Sequence, residues 1–204
     1  MLINYELLKS SYEPDFIEKC ETLRKEVVKS ISDLTSFFTD PDSYALDDYK
    51  EDRKALNDAG LNYLSKLVWF PNILVLDYIL QHKDEFKTLT CLDFGCGLGF
   101  LSILLDHIGI SCLAHDIWVH GVHENHTKFI LQQFGLEDKL VTLENCKNFQ
   151  VFINMGTPGH PTDLISKAQY LIFNKVEDRP IANKSLFTLI DSYPAYKVEV
   201  WRKR

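Results

Sequence analysis

Apolar residues fall three or four apart over residues 16–38, at Phe16, Cys20, Leu23, Val27, Ile31, Leu34 and Phe38, with Glu, Lys and Arg between them. That spacing predicts one face of a long amphipathic helix, entered through Pro14 and ended near Asp40-Pro41. The stripe is too short to establish a coiled-coil seam, and packing on its own domain accounts for it. Residues 42–58 are polar, acidic and tyrosine-containing, which predicts a loop and a short helix. Residues 61–70 and 72–82 then read as helices interrupted at Pro71, since proline removes a donor and clashes with the preceding turn. Residues 1–87 are thus expected to form a helical N-terminal appendage.

From residue 88 the pattern changes. Leu89, Cys91, Leu92 and Phe94 make a short apolar run, the mark of a buried strand, which enters a turn holding Gly95, Gly97 and Gly99. Leu101, Leu104, Leu105 and Ile108 give the following helix its buried face, with Gly109 placed as its C-terminal cap. Residues 110–115 predict a second strand ending at Asp116, Gly135 closes the next helix, and 139–143 suggest a third strand. The run 149–154 is the natural fourth strand. Only about five residues would separate it from the third, whereas a parallel crossover needs about a dozen. Either this crossover is pared down, or 146–155 form the connecting helix and the fourth strand is 169–174. The first arrangement is preferred. Under it 162–167 is a helix, 169–174 the fifth strand, 184–190 a further helix or strand, and 196–203 a closing strand. In that last segment Tyr196, Val198, Val200 and Arg202 alternate with Lys197, Glu199 and Trp201. Strands alternating with helices over 88–204 predict an α/β domain.

Composition narrows the class. With 204 residues, 46% hydrophobic and 25% charged, the chain suits one α/β domain and an appendage rather than two full domains or a disordered tail. The first residues lack a basic start and a continuous apolar core, and 64–80 are broken by Lys66, Pro71, Asn72 and Asp77. A signal peptide and a membrane span are therefore not expected, and a cytoplasmic location is. Cys20, Cys91, Cys96, Cys112 and Cys146 are odd in number and form no CxxC pair, which suggests neither a disulfide framework nor a zinc site. A net charge of −7 argues against a broad phosphate-binding surface. The terminal Arg202-Lys203-Arg204 reads as a solvated strand end. His115, His120, His123 and His126 accompany Asp116 and Glu124, yet on a helix the last three histidines drift around one side, so a solvated face is preferred to a metal site.

The glycine turn carries the chemistry. Glycines let the backbone approach a ligand closely, and a turn feeding a helix N-terminus favours an anionic group. A dinucleotide turn of the GxGxxG kind needs its third glycine where Phe100 stands. The order Asp93-Phe94-Gly95-Cys96-Gly97-Leu98-Gly99 instead resembles motif I of the class I S-adenosylmethionine-dependent methyltransferases, whose domain is a Rossmann-like, doubly wound, mostly parallel sheet with helices on both faces. The resemblance implies S-adenosyl-L-methionine as cofactor, with Asp93 near its methionine part and Phe94, Gly95, Cys96, Gly97 and Gly99 closing around that end. Asp116, an acid after the second strand, is the expected ligand of the ribose hydroxyls, because a carboxylate accepts from both at once. Ile117 and Trp118 are candidates to sandwich the adenine, and Glu144 and Asn145 stand where this family often contacts its amino group. The appendage, with Tyr44, Tyr49, Tyr63 and Trp69, is the expected lid.

Methyl transfer from a sulfonium is an in-line displacement, so the protein positions the acceptor and, for a hydroxyl, removes its proton. Asn154 and the loop 155–161 fall at the C-terminal edge of the sheet, and His160 is the histidine placed there as a candidate base. O-methylation of a small-molecule hydroxyl, on a sugar or metabolite, is the expected reaction. The Asn/Asp-Pro-Pro-aromatic motif of enzymes that methylate nucleic-acid bases is replaced by Asn154-Met155-Gly156-Thr157, and nucleic acid is not the expected partner. The pared-down third-to-fourth connection leaves a second reading, a methyltransferase-like binding or partner protein without catalysis. A dinucleotide oxidoreductase is disfavoured by the glycine spacing.

Overall fold

The structure, a computed structural model, describes residues 66–97, 99–117, 124–155, 162–174, 184–194 and 197–204. The expected helix over 16–38, the segment 42–58, Tyr44, Tyr49 and Tyr63 lie outside them, as does the side chain of Trp69. In chain order the elements are α1 (Lys66–Gln81), α2 (Lys83–Phe86), β1 (Thr90–Phe94), α3 (Phe100–His107), β2 (Ser111–His115), α4 (Glu124–Gln132), β3 (Val151–Asn154), α5 (Thr162–Lys167), β4 (Tyr170–Asn174), β5 (Phe187–Tyr193) and β6 (Val198–Lys203). Short 3-10 turns precede β3 at Glu137–Lys139 and β5 at Lys184–Leu186. Pro71–Arg204 fall in one compact unit.

The sheet has the order β2-β1-β3-β4-β6-β5. β2, β1, β3 and β4 run parallel, and β6 and β5 join antiparallel at one edge. The fold is α/β, mostly parallel and doubly wound. Its two faces follow from the alternation of side chains along each strand. Leu92 and Phe94 of β1, Phe152 of β3, Leu171 and Phe173 of β4 and Trp201 of β6 pack with Leu164 and Ile165 of α5, with Ala168 just after it, and with Cys146 and Phe149. On the opposite face Ser102 of α3 bonds Asp93, and Phe86 of α2 touches both Tyr170 and Tyr78 of α1. Helices therefore cover both faces, which is why the parallel strands read as nearly continuous apolar runs.

α3 and α4 end as the glycines predicted. Ile110 N–H reaches Leu105 O at 2.9 Å and Leu136 N–H reaches Leu131 O at 2.9 Å, with Gly109 and Gly135 at φ 81° and 68°. These are left-handed caps that satisfy the last carbonyls of each helix.

Two expectations are corrected. Pro71 does not interrupt a helix: α1 runs through it, because the lost donor is outweighed by the buried run Leu74, Val75, Leu76, Tyr78 and Ile79 that follows. The third strand at 139–143 is absent: only Leu140 bridges β2, at Ala114, and Thr142 and Leu143 are exposed. That absence also removes the difficulty over connection length. The crossover runs from His115 to Val151 through α4, well beyond the minimum a parallel pair needs. The third strand of the sheet in sequence is then 151–154 and the fourth is 170–174, the order preferred from sequence with one strand fewer before them. Finally, 184–190 holds both alternatives, a 3-10 turn and the start of β5.

Candidate functional site

The chain leaves β1 for β2 on one side and returns through α4 to β3 on the other. The C-terminal ends of β1 and β3 thus lie where the winding reverses, the place at which open α/β sheets hold ligands. The glycine turn, Asp116 and Asn154 all belong to this edge.

The turn is built from internal hydrogen bonds. Gly95 and Cys96 donate their N–H groups to His115 O at 2.7 and 3.0 Å, and Gly99 N–H reaches Cys96 O at 2.8 Å. Gly97 N–H donates to Asp116 Oδ2 at 2.7 Å, and Gly97 O accepts from Thr127 Oγ1 at 2.6 Å. Gly97 and Gly99 sit at φ 54° and 80°, where a side chain is strained. At Gly99 a Cβ would also come within 3.0 Å of Leu131 Cδ2 on α4. The glycines thus serve the turn's curvature and its packing against α4.

Asp93, at 3% exposure, accepts from Ser102 Oγ at 3.0 Å. Burial raises its carboxyl from the ordinary 3.8 to about 7; the Ser102 bond works against that rise, and the Asp116 carboxylate adds to it. Around neutral pH this acid is therefore poised between its two forms. Burial likewise pushes the Cys112 thiol well up, with Cys91 and Asp93 adding to the effect.

The structure brings Asp93, Gly95, Cys96, Gly97, Gly99 and Asp116 together around one turn. Phe94 is buried against His115 and Phe152, at ring separations of 5.4 Å in both pairs. Asn154 is buried at the end of β3, one residue beyond Ile153, which pairs with Asp93. Ile117 is exposed just after Asp116. Glu144 and Asn145 lie in an exposed turn shortly after Val141, whose carbonyl meets His115 Nδ1 at 2.8 Å. Trp118 and His160 lie outside the described residues, as do His120 and His123. No group of His, Cys, Asp and Glu is gathered as for a metal ion among the described residues. No helix among them is long and apolar enough to cross a membrane.

Sequence reasoning missed three contributors: Ser102, Thr127 and His115. Ser102 lies on the turn's own helix and carried a signal, since a hydroxyl spaced to face the motif acid can bond it. Thr127 and the Val141 carbonyl stand 30 and 26 residues from their partners, and no local pattern marks them.

No family model and no curated protein matches the sequence. Solved structures resemble the fold. A ribosomal protein L11 methylase from Lactobacillus delbrueckii subsp. bulgaricus is 19% identical over 68% of this chain and 77% of that one, with a TM-score of 0.47. Magnesium protoporphyrin IX methyltransferase from Synechocystis PCC 6803, with bound SAM, is 17% identical over 78% and 97%, with a TM-score of 0.44. WbdD, in a co-crystal with the kinase inhibitor LY294002, is 16% identical over 64% of this chain, with a TM-score of 0.47, and this chain spans 40% of it. Similarity at this level carries no chemistry, which rests on the geometry above.

Proposed function

We propose that the chain is an S-adenosyl-L-methionine-dependent methyltransferase acting on a hydroxyl of a small molecule such as a sugar or metabolite. The observation that carries this reading is the engagement of the turn's donors. Gly95, Cys96, Gly97 and Gly99 direct their N–H groups at His115, Asp116 and Cys96, so a pyrophosphate would find no donor at those positions. A dinucleotide needs such donors; a nucleoside joined to a sulfonium does not. The Asp116 carboxylate, held by Gly97 at 2.7 Å, stands at the switch point with the chemistry to accept from vicinal hydroxyls.

The residues fit that cofactor. Asp116 would receive the ribose, Ile117 offers an exposed apolar side chain beside it, and Glu144 and Asn145 are the acceptors on the segment next to β2. Bound there, the sulfonium supplies an electrophilic methyl group. The chain's own part is to orient the acceptor, exclude water and take its proton, for which His160 is the candidate base.

The reduction of the third strand to one bridge at Leu140 favours a second reading, a binding protein of the same fold that no longer catalyses.

Calorimetry with S-adenosylhomocysteine decides the cofactor: micromolar binding that is lost in Asp116→Ala is expected, and absence of binding to the intact protein would refute the reading. Transfer of radioactive methyl groups to a panel of hydroxylated acceptors then separates enzyme from binding protein. Turnover unchanged in His160→Ala would remove that residue from the mechanism.

A further inference from the structure

His115 is the residue at which the two halves of the site meet. Its backbone carbonyl accepts from Gly95 and Cys96, fixing the start of the glycine turn. Its ring Nδ1 lies 2.8 Å from Val141 O, and because a carbonyl only accepts, Nδ1 carries the hydrogen. The ring is 8% exposed and packs against Phe94. The other nitrogen, Nε2, is buried with no hydrogen-bond partner among the described residues.

An apolar side chain would fill this place without an unsatisfied acceptor. What it would not supply is the tie to Val141. That tie matters because the strand expected over 139–143 is absent, and among the described residues a single bridge, Leu140 to Ala114, joins this segment to the sheet. Val141 N–H completes it by donating to Ala114 O at 2.9 Å. The imidazole thus stands in for a ladder hydrogen bond, made by a side chain from the neighbouring strand.

We propose that His115 is a positioning residue, latching the 140–145 segment to the end of β2 so that Glu144 and Asn145 are held in register with the glycine turn and Asp116. The latch itself follows from the hydrogen bonds; its effect on a nucleoside ligand rests on the cofactor reading above.

The test compares the intact protein with His115→Leu, which keeps the bulk, and His115→Asn, whose side-chain amide donates from nearly the position of Nδ1. Hydrogen exchange is followed in peptides covering 140–146 and, as a control, 162–167, and S-adenosylhomocysteine binding is measured by calorimetry. In His115→Leu, exchange over 140–146 is expected to quicken about tenfold, the equivalent of one lost hydrogen bond, with 162–167 unchanged and affinity about tenfold weaker. His115→Asn is expected to restore both. Unchanged exchange over 140–146, or a chain-wide acceleration that asparagine fails to rescue, would refute the latch and leave a packing role. Faster local exchange with unaltered affinity would refute the positioning role. Were the intact protein to bind no S-adenosylhomocysteine, the cofactor reading would fall, and the exchange measurements would still decide the latch.

Discussion

Replacing Asp93 by Asn tests the electrostatics of the turn directly. In the folded chain this carboxyl is raised to about 7 from 3.8, first by burial and less by Asp116, against the pull of the Ser102 bond. The native state therefore holds a proton between about pH 4 and 7 that the unfolded chain has released. By linkage, the stabilisation from the neutral acid is largest below the unfolded value. It declines as pH rises through that window and is gone above the folded value. A rise from 3.8 to about 7 corresponds to a loss of about 3 kcal/mol between pH 5 and pH 8, at roughly 1.4 kcal/mol for each unit fully traversed. Asparagine imitates the neutral acid, and its Oδ1 still accepts from Ser102, so this dependence vanishes in Asp93→Asn while the packing remains. Urea unfolding at pH 5, 6, 7 and 8 reads the difference: the variant matches the parent near pH 5 and exceeds it by about 3 kcal/mol at pH 8, on the order of 1 M in midpoint. Other titrating groups are common to both proteins and cancel in the comparison. Parallel stability curves from pH 5 to 8 would refute the reasoning, because they would mean that Asp93 is ionised throughout.

Two neighbours should move the same titration in opposite directions. Ser102→Ala removes the bond that favours the carboxylate and raises the Asp93 midpoint, whereas Asp116→Asn removes a nearby negative charge and lowers it; carbon-detected NMR of the Asp93 carboxyl reports both. Glycine substitutions separate backbone strain from contact. Gly109→Ala, with φ 81° and nothing within 4 Å of its Cβ, should cost about 1 kcal/mol, and Gly99→Ala, with φ 80° and Leu131 at 3.0 Å, about 2 kcal/mol or more in thermal unfolding. Equal losses at the two sites would show that Leu131 gives way freely.

What could be read from sequence was local. The apolar run before Gly95, the spacing of Leu101, Leu104, Leu105 and Ile108, and the capping glycines each encode structure within a few residues, and the folded chain agrees with them. The third strand failed because strand formation depends on a partner ladder. Leu140, Val141 and Leu143 satisfy β-propensity, yet a single bridge, at Leu140, pairs them with β2, and the chain turns away at Thr142. Pro71 failed for the related reason that a local rule was overridden by the burial of Leu74 to Ile79. Asp116 was legible because an acid directly after a strand has one obvious place to be. His115, beside it, was not: its ring answers to a carbonyl 26 residues away.

The same geometry changes what the turn can attract. A helix N-terminus preceded by glycines suggests a positive pocket for anions, and α3 is indeed preceded by Gly99 in the left-handed conformation. Yet the donors at Gly95, Cys96, Gly97 and Gly99 are turned onto two carbonyls and a carboxylate, and Asp93 and Asp116 are close enough for each charge to oppose the other. The electrostatic balance at this edge is acidic. An anionic ligand would meet Asp116 with no free N–H at those four positions to offset it, whereas a cationic centre would relieve the repulsion between the two acids. Glycine spacing, GxGxG rather than GxGxxG, thus has a physical counterpart: this turn is a closed wall beside a carboxylate. That is the arrangement a ribose-bearing sulfonium suits and a pyrophosphate does not.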